Sequence, residues 1–237
     1  MRTRTGRWPA TLLAALLFPL TTSIAVEEGT SGVAATEILS RLDRRLQAVT
    51  TMKGRFIQSF TSAGLGVPQS ESGRFFISRP DRMRWDYTRP EEKTAISDGT
   101  HTWLHLPEEG VVYKGSVAAW KNGGAFSILA GGSLRDEYSA IDVDVAQATR
   151  KGDVVLALKP RRERDEFVSL LVEVDPVSLT LVSVVAVDGA GNRISAFFSE
   201  IEENVALPRD VFLFKPPVGA RVIDQDHRPA AIVPPPK

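Results

Sequence analysis

The stretch Gly73-Arg74-Phe75-Phe76-Ile77-Ser78-Arg79-Pro80 shows the pattern that decides the fold. As a β-strand it places Phe75, Ile77 and Arg79 on one face, so a guanidinium points where the apolar side chains point. Pro80 favours extended backbone at Arg79, which supports strand geometry there. Burying this charge alone is costly, so Arg79 must meet a carboxylate, backbone carbonyls or a polar part of a ligand. The alternative is a position at the rim of the sheet, where the side chain reaches water.

Period-two segments of this kind repeat from Thr51 nearly to the end of the chain, with turn signals between them. They predict about ten to twelve strands. Asp98-Gly99 marks a tight hairpin, because that turn type needs positive φ. Short connections predict a mainly β protein with an antiparallel, meandering sheet. A large sheet with much inward apolar surface curls round on itself, and periodicity leaves open whether its interior is filled or hollow.

The alternation also predicts which faces of the later strands are apolar. Ile141, Val143 and Val145 share one face, which we expect to be the inward one. The segment from Leu179 to Val187 is apolar on both faces. This is expected of a strand that has one face toward the interior and the other under a helix.

A single amphipathic helix is predicted before the sheet, from Thr36 to Val49. Its apolar residues recur at helical spacing and form a narrow stripe that we expect to dock on the sheet; they are Ile38, Leu39, Leu42, Leu46 and Val49. The polar and small residues 26–35 before it predict a flexible leader.

Both ends of the chain differ from the rest. Three arginines lead into an apolar run from Ala10 to Leu20, and Ser23 and Ala25 follow, which together predict a cleavable secretory signal over residues 1–25. The run is well short of the roughly 20 residues that a membrane-spanning helix needs. The proline-rich residues 225–237 predict a disordered tail, which leaves residues 36–224 as one domain.

One apolar segment interrupts the strand pattern. Ala125, Phe126, Ile128 and Leu129 lie in a short helix-compatible piece between two pairs of glycines, which relax the backbone on both sides. Such a piece could move as a unit, as a flap over the sheet. An ordinary connecting loop whose apolar residues plug the sheet explains the composition equally well.

The composition argues against several functions. The net charge is zero, and it becomes slightly negative when the predicted signal is removed, which disfavours nucleic acid as a partner. There is no cysteine, so neither a disulfide nor lipid attachment is expected.

His101 and His105 are too far apart on a strand to share a metal ion. No nucleophile stands beside a candidate base, so we predict neither enzymatic activity nor a metal or cofactor.

The order of the motifs resembles the outer-membrane lipoprotein carrier (LolA) family from about Ile38 to Asp224. The segments that carry this resemblance are Phe56-Ile57-Gln58, the opening stretch with Arg79-Pro80, Arg84-Trp85-Asp86-Tyr87, Ser97-Asp98-Gly99 with Trp103, and the run from Phe212 to Asp224. Each motif is loose by itself, but five in this order behind a signal sequence are specific.

The resemblance implies an unclosed antiparallel β-barrel, with an N-terminal amphipathic helix and a short helical lid over a hydrophobic cavity. It implies a periplasmic chaperone that takes lipoproteins from an inner-membrane, ATP-driven releasing complex and delivers them to an outer-membrane receptor lipoprotein. The family's cavity arginine, which holds the lid closed, corresponds to Arg79, and the lid corresponds to Ala125 to Ala130. Gly123-Gly124 replaces the proline common in better-known members.

The alternation and the resemblance together predict a cavity whose ligand-binding residues are Phe75, Ile77, Arg79, Met83 and Trp85. The expected cargo is the acyl chains of lipoproteins, and we expect a monomer. Two other functions stay open at this point. The protein could carry another amphiphilic lipid on the same fold, or it could sense lipoproteins in envelope-stress signalling.

Overall fold

The computed structural model describes residues 28–64, 66–118, 128–129, 131–162, 167–208 and 210–225, with side chains from Ala34 onward. The helices and strands that lie wholly within these ranges are, in order, α1 (Glu28–Ala48), β1 (Thr51–Thr61), β2 (Pro68–Ser78), β3 (Arg82–Arg89), β4 (Lys93–Asp98), β5 (His101–Leu106), β6 (Val111–Ser116), α2 (Leu134–Glu137), β7 (Tyr138–Asp144), β8 (Val154–Pro160), β9 (Ser169–Val174), β10 (Leu181–Val187), β11 (Arg193–Glu203) and β12 (Arg221–Asp224).

All twelve strands belong to one sheet, in the order β12-β6-β5-β4-β3-β2-β1-β11-β10-β9-β8-β7. Neighbouring strands are antiparallel except β12, which pairs with β6 in parallel. Two meanders of consecutive strands therefore meet where β1 pairs with β11. The edge strands β7 and β12 do not pair with each other, so the sheet is an incomplete antiparallel β-barrel, as predicted.

The hydrophobic core lies on the concave face of the sheet. Inward side chains from both meanders join one cluster, which includes Phe56, Trp85, Val172 and Val184. Helix α1 adds its apolar stripe to the same cluster through Ala35, Leu39, Leu42 and Leu46. The predicted amphipathic helix and its docking on the sheet are confirmed.

The helix is longer than predicted, because α1 begins at Glu28 and not at Thr36. It therefore includes most of the segment that we expected to be a flexible leader. Ala35 is fully buried, so the apolar stripe starts one turn earlier than the large aliphatic residues indicate. No proline interrupts residues 28–35, and the helix can continue toward the N-terminus.

Two expectations about sheet faces were wrong. A bulge between Ala140 and Asp142 breaks the alternation of β7, which leaves Ile141 exposed while Val143 packs against the core. The second expectation was that a helix covers the outer face of β10. The strand is buried on both faces, but α1 lies on the concave side only. On the convex side Ser183 contacts Glu173, which the loop before β8 covers through hydrogen bonds from Thr149.

The chain after β11 covers another part of the convex face. Phe212 is buried, and the ring of Phe214 lies 5.6 Å from that of Trp103 and 5.7 Å from that of His105. Arg84 donates a hydrogen bond of 3.2 Å to the carbonyl oxygen of Val211. Among the helices that the structure describes, none is long and apolar enough to cross a membrane.

Candidate functional site

A small cavity lies on the concave face, between the sheet and residues 128–129. Its lining residues come from β1, β3, β10, β11 and the segment above them: Gln58, Trp85, Leu129, Val184, Ile194, Ala196 and Phe198. The cavity measures about 20 Å³, which is room for about one water molecule. At this size the cavity holds nothing larger than water, and Leu129 forms part of its wall.

The apolar residues predicted to line a cavity are all buried. Phe75, Ile77, Met83 and Trp85 are at most 3% exposed. Trp85 stacks on Phe75 at 5.4 Å and meets Phe56 edge-on at 4.8 Å. Only Trp85 of the four borders the cavity itself, and the other three pack in the surrounding core.

Most of the cavity lining was missed by sequence reasoning. Ile194, Ala196 and Phe198 alternate along β11, so period-two analysis of that segment could have found them as one face. Their position beside Gln58 and Trp85 depends on the pairing of β1 with β11. That pairing joins distant parts of the chain, and no local signal predicts it.

Arg79 follows the last residue of β2 and connects two segments through backbone carbonyls. Its Nε and Nη2 donate hydrogen bonds of 3.1 Å to the carbonyl oxygens of Leu129 and Ile128. Its Nη1 donates to the carbonyl oxygen of Leu46, in the last turn of α1. Burial lowers the pKa of the Arg79 guanidinium, and the nearby Glu203 partly opposes this shift. The three bonds compensate the half-buried charge with backbone oxygens, one of the solutions that the sequence left open.

Residues just after Leu129 are held by helix α1. Gln47 Nε2 donates to the carbonyl oxygens of Gly131 at 3.3 Å and Gly132 at 3.1 Å. Asp43 accepts a hydrogen bond of 2.7 Å from the amide of Leu134, at the start of α2. Gly131 has a φ of +110°, a conformation that glycine adopts without strain.

The segment predicted as a lid is thus tied at two places. Ile128 and Leu129 are 2% exposed and are held by Arg79, whereas residues 131–134 are held by α1. Ala125 and Phe126, the other residues of the predicted lid, lie outside the described residues. The anchor of the segment thus changes between Leu129, which Arg79 holds, and Gly131, which α1 holds.

Replacing Asp43 with alanine is expected to loosen this anchor. The carboxylate is 5% exposed, and its removal leaves the Leu134 amide without its acceptor, at a cost of about 2 kcal/mol. Urea unfolding should show that loss, and hydrogen exchange at Leu134 should accelerate more than exchange at strand amides. Glu37→Ala, an exposed position on the same helix, is the control. Unchanged exchange at Leu134 would contradict the assigned role of Asp43.

His101 and His105 lie on β5 as expected, and His101 Nδ1 is 3.7 Å from Asp98 Oδ2. Within the ranges that the structure describes, no group of three or more histidine, aspartate or glutamate side chains is placed to hold a metal ion. The site consists of apolar side chains, one amide and an arginine, which suits binding of an apolar ligand.

Comparisons with known proteins agree with this picture. The family described as outer membrane lipoprotein carrier protein LolA matches residues 47–215. An outer-membrane lipoprotein carrier protein of Methylibium petroleiphilum is 34% identical, over 82% of this chain and 93% of its own length. The protein of the same name from Alkalilimnicola ehrlichii is 30% identical, over 90% of this chain and 95% of its own.

The fold is also found among solved structures. An uncharacterized conserved protein from Thermus thermophilus superposes with a TM-score of 0.50 and 12% sequence identity. The match covers 81% of this chain and 99% of that one. At this identity the likeness concerns the fold alone.

Proposed function

Since the chain belongs to the LolA family of outer-membrane lipoprotein carrier proteins, we propose that it binds the acyl chains of lipoproteins and carries them across the periplasm to the outer membrane. The observation that carries this proposal is the apolar cavity beneath Leu129, whose segment is held by hydrogen bonds from Arg79. An acyl chain exposed to water costs about 0.8 kcal/mol per CH₂ group. A cavity that opens for such chains and closes after their release removes most of that cost.

When cargo is loaded, contacts of the acyl chains with the cavity wall must replace the contacts that Leu129 makes there. In the closed conformation Leu129 fills the space above Ala196 and Phe198. Acyl chains that enter displace Leu129, and the apolar area that they bury offsets the loss of the Arg79 hydrogen bonds. The closed form is favoured again when the chains leave, so the same bonds assist release.

The partners and the location belong to the same proposal. The carrier receives its cargo from an inner-membrane, ATP-driven releasing complex and delivers it to a receptor lipoprotein at the outer membrane. Residues 1–25 direct export and are removed, and the folded carrier, which begins with helix α1, acts in the periplasm. Binding, shielding and transfer require no bond to be made or broken by this chain.

A displacement experiment tests the binding step. A fluorescent fatty acyl probe should bind the purified protein, and an acylated lipoprotein peptide should displace it at least tenfold more effectively than the same peptide without acyl chains. The expected difference reflects the large apolar area of the chains. Equal displacement by both peptides would show that the acyl chain is not what the protein recognises.

Cargo identity separates this function from the two alternatives. The relatives are named carriers of lipoproteins, which favours lipoproteins over another amphiphile and over a role in signalling. Mass spectrometry of the ligand that copurifies from the periplasm distinguishes these cases. A free lipid without peptide would indicate the other type of carrier, and capture of a signalling protein without lipoprotein would indicate a sensor.

A further inference from the structure

Four polar side chains occupy inward positions where the apolar concave face ends. Gln58 on β1 lies opposite Glu71 on β2, and Tyr87 on β3 lies opposite Lys93 on β4. Tyr87 follows Trp85 on the same face of β3, and Gln58 borders the cavity together with Trp85. This polar cluster is therefore continuous with the apolar site.

The orientation of the Gln58 amide is set by Tyr87. The Tyr87 hydroxyl donates to Gln58 Oε1 at 3.3 Å. Burial, and to a smaller extent the charge of Glu71, raises the pKa of Tyr87, so this hydroxyl stays protonated. Because the amide oxygen accepts that bond, Nε2 is left as the available donor of a side chain that borders the cavity. It donates to no acceptor in the part of the chain that the structure describes.

The remaining two members of the cluster neutralise each other. Lys93 Nζ lies 2.6 Å from Glu71 Oε1, and their side chains are 17% and 21% exposed. The same ammonium group lies 4.5 Å from the centre of the Tyr87 ring, which fixes the ring by a cation–π contact. The cluster thus offers the cavity a neutral donor and no uncompensated charge. A neutral acceptor, such as a carbonyl oxygen, suits it better than a carboxylate or a phosphate.

We propose that Gln58, oriented by Tyr87, donates a hydrogen bond to a carbonyl oxygen of the ester or amide groups that join acyl chains to a lipoprotein. The inference rests on the proposed function and adds a recognition element to it. Hydrocarbon fills the apolar part of the opened cavity, and the linkage lies at Gln58. The site thereby distinguishes chains with a carbonyl linkage from plain alkyl chains.

Two lipopeptides with the same peptide and the same chain lengths test this inference on the full protein. One has ester-linked acyl chains, and the other has ether-linked alkyl chains that lack the carbonyl oxygens. Displacement of a fluorescent acyl probe should show about fivefold tighter binding of the ester form, the effect of one hydrogen bond in a shielded site. Gln58→Leu should bring the ratio to about one by weakening ester binding alone.

Gln69→Leu provides the matched control, because Gln69 is exposed near the start of β2 and its loss should leave the ratio unchanged. Tyr87→Phe removes the orienting hydroxyl and should give an intermediate ratio, which provides a second variant if Gln58→Leu folds poorly. Equal binding of both lipopeptides to the unmodified protein would overturn the inference and leave acyl binding intact. Failure of both to displace the probe would count against the proposed function itself.

Discussion

Arg79→Leu is expected to yield a carrier that loads lipoprotein normally and hands it over about tenfold more slowly or worse. The substitution removes the hydrogen bonds that hold Ile128 and Leu129 over the cavity. Charge-assisted bonds of this kind are worth about 1.5 to 3 kcal/mol each, and about 1.4 kcal/mol changes an equilibrium tenfold. In the mutant, the loading step does not have to break the Arg79 hydrogen bonds. The release step, however, no longer gains free energy from forming them again.

A transfer assay measures both steps. Lipoprotein is loaded from inner membranes and then offered to outer membranes, and the mutant should accumulate as the loaded complex. Arg82→Leu is the matched control, since Arg82 is a neighbouring exposed arginine. Transfer at the unmutated rate would instead assign Arg79 to the rim of the sheet, with no part in release.

The largest loss of stability from one polar substitution is expected at Glu173. Its side chain is 1% exposed and accepts hydrogen bonds from Thr149, from the amide of Arg150 and from Ser183 at 3.0 Å. These bonds fasten the loop before β8 to the convex face. Removing the carboxylate leaves the buried Ser183 hydroxyl without its acceptor, at a cost of about 1–3 kcal/mol, and releases the partly shielded donors of Thr149 and Arg150 as well.

We therefore expect Glu173→Ala to lower the free energy of unfolding by about 3 kcal/mol, and Glu173→Gln by roughly half of that, because the amide keeps one acceptor oxygen. Urea unfolding followed by circular dichroism gives both values. Glu202→Ala removes an exposed partner of Lys53 and should cost below about 1 kcal/mol. If Glu173→Ala lowered the free energy of unfolding as little as the control does, Glu173 would not be what holds the loop before β8.

The strands and their connections could largely be predicted from the sequence. Period-two patterns and turn residues indicated the meanders, and Gly99 has a φ of +96° between β4 and β5, as the Asp98-Gly99 signal requires. The errors have local physical causes. The bulge in β7 reverses the side-chain alternation at Ile141. The first turns of α1 consist mainly of small residues, so they lack the spacing of large apolar side chains by which a helix is predicted.

The site was less accessible to sequence reasoning. Arg79 could be singled out, because a charge on an apolar strand face demands a partner. The partners themselves are backbone oxygens of Leu46, Ile128 and Leu129, and backbone groups have no sequence signature. The contribution of Gln58 depends on strands that are distant in the chain, so its role in binding stays a proposal that rests on the fold.

The pairing of β1 with β11 has a consequence for how the molecule assembles. Thr61 lies opposite Arg193, whereas each meander forms from hairpins of consecutive strands. Hairpins close short loops quickly, but this seam closes a loop that contains most of the chain, and such non-local pairing is slow. In a chain that emerges N-terminus first, all strands of the N-terminal meander are present before β11 is available. During that interval the future cavity wall has an open edge and exposed aromatic rings, which is the state most prone to aggregation.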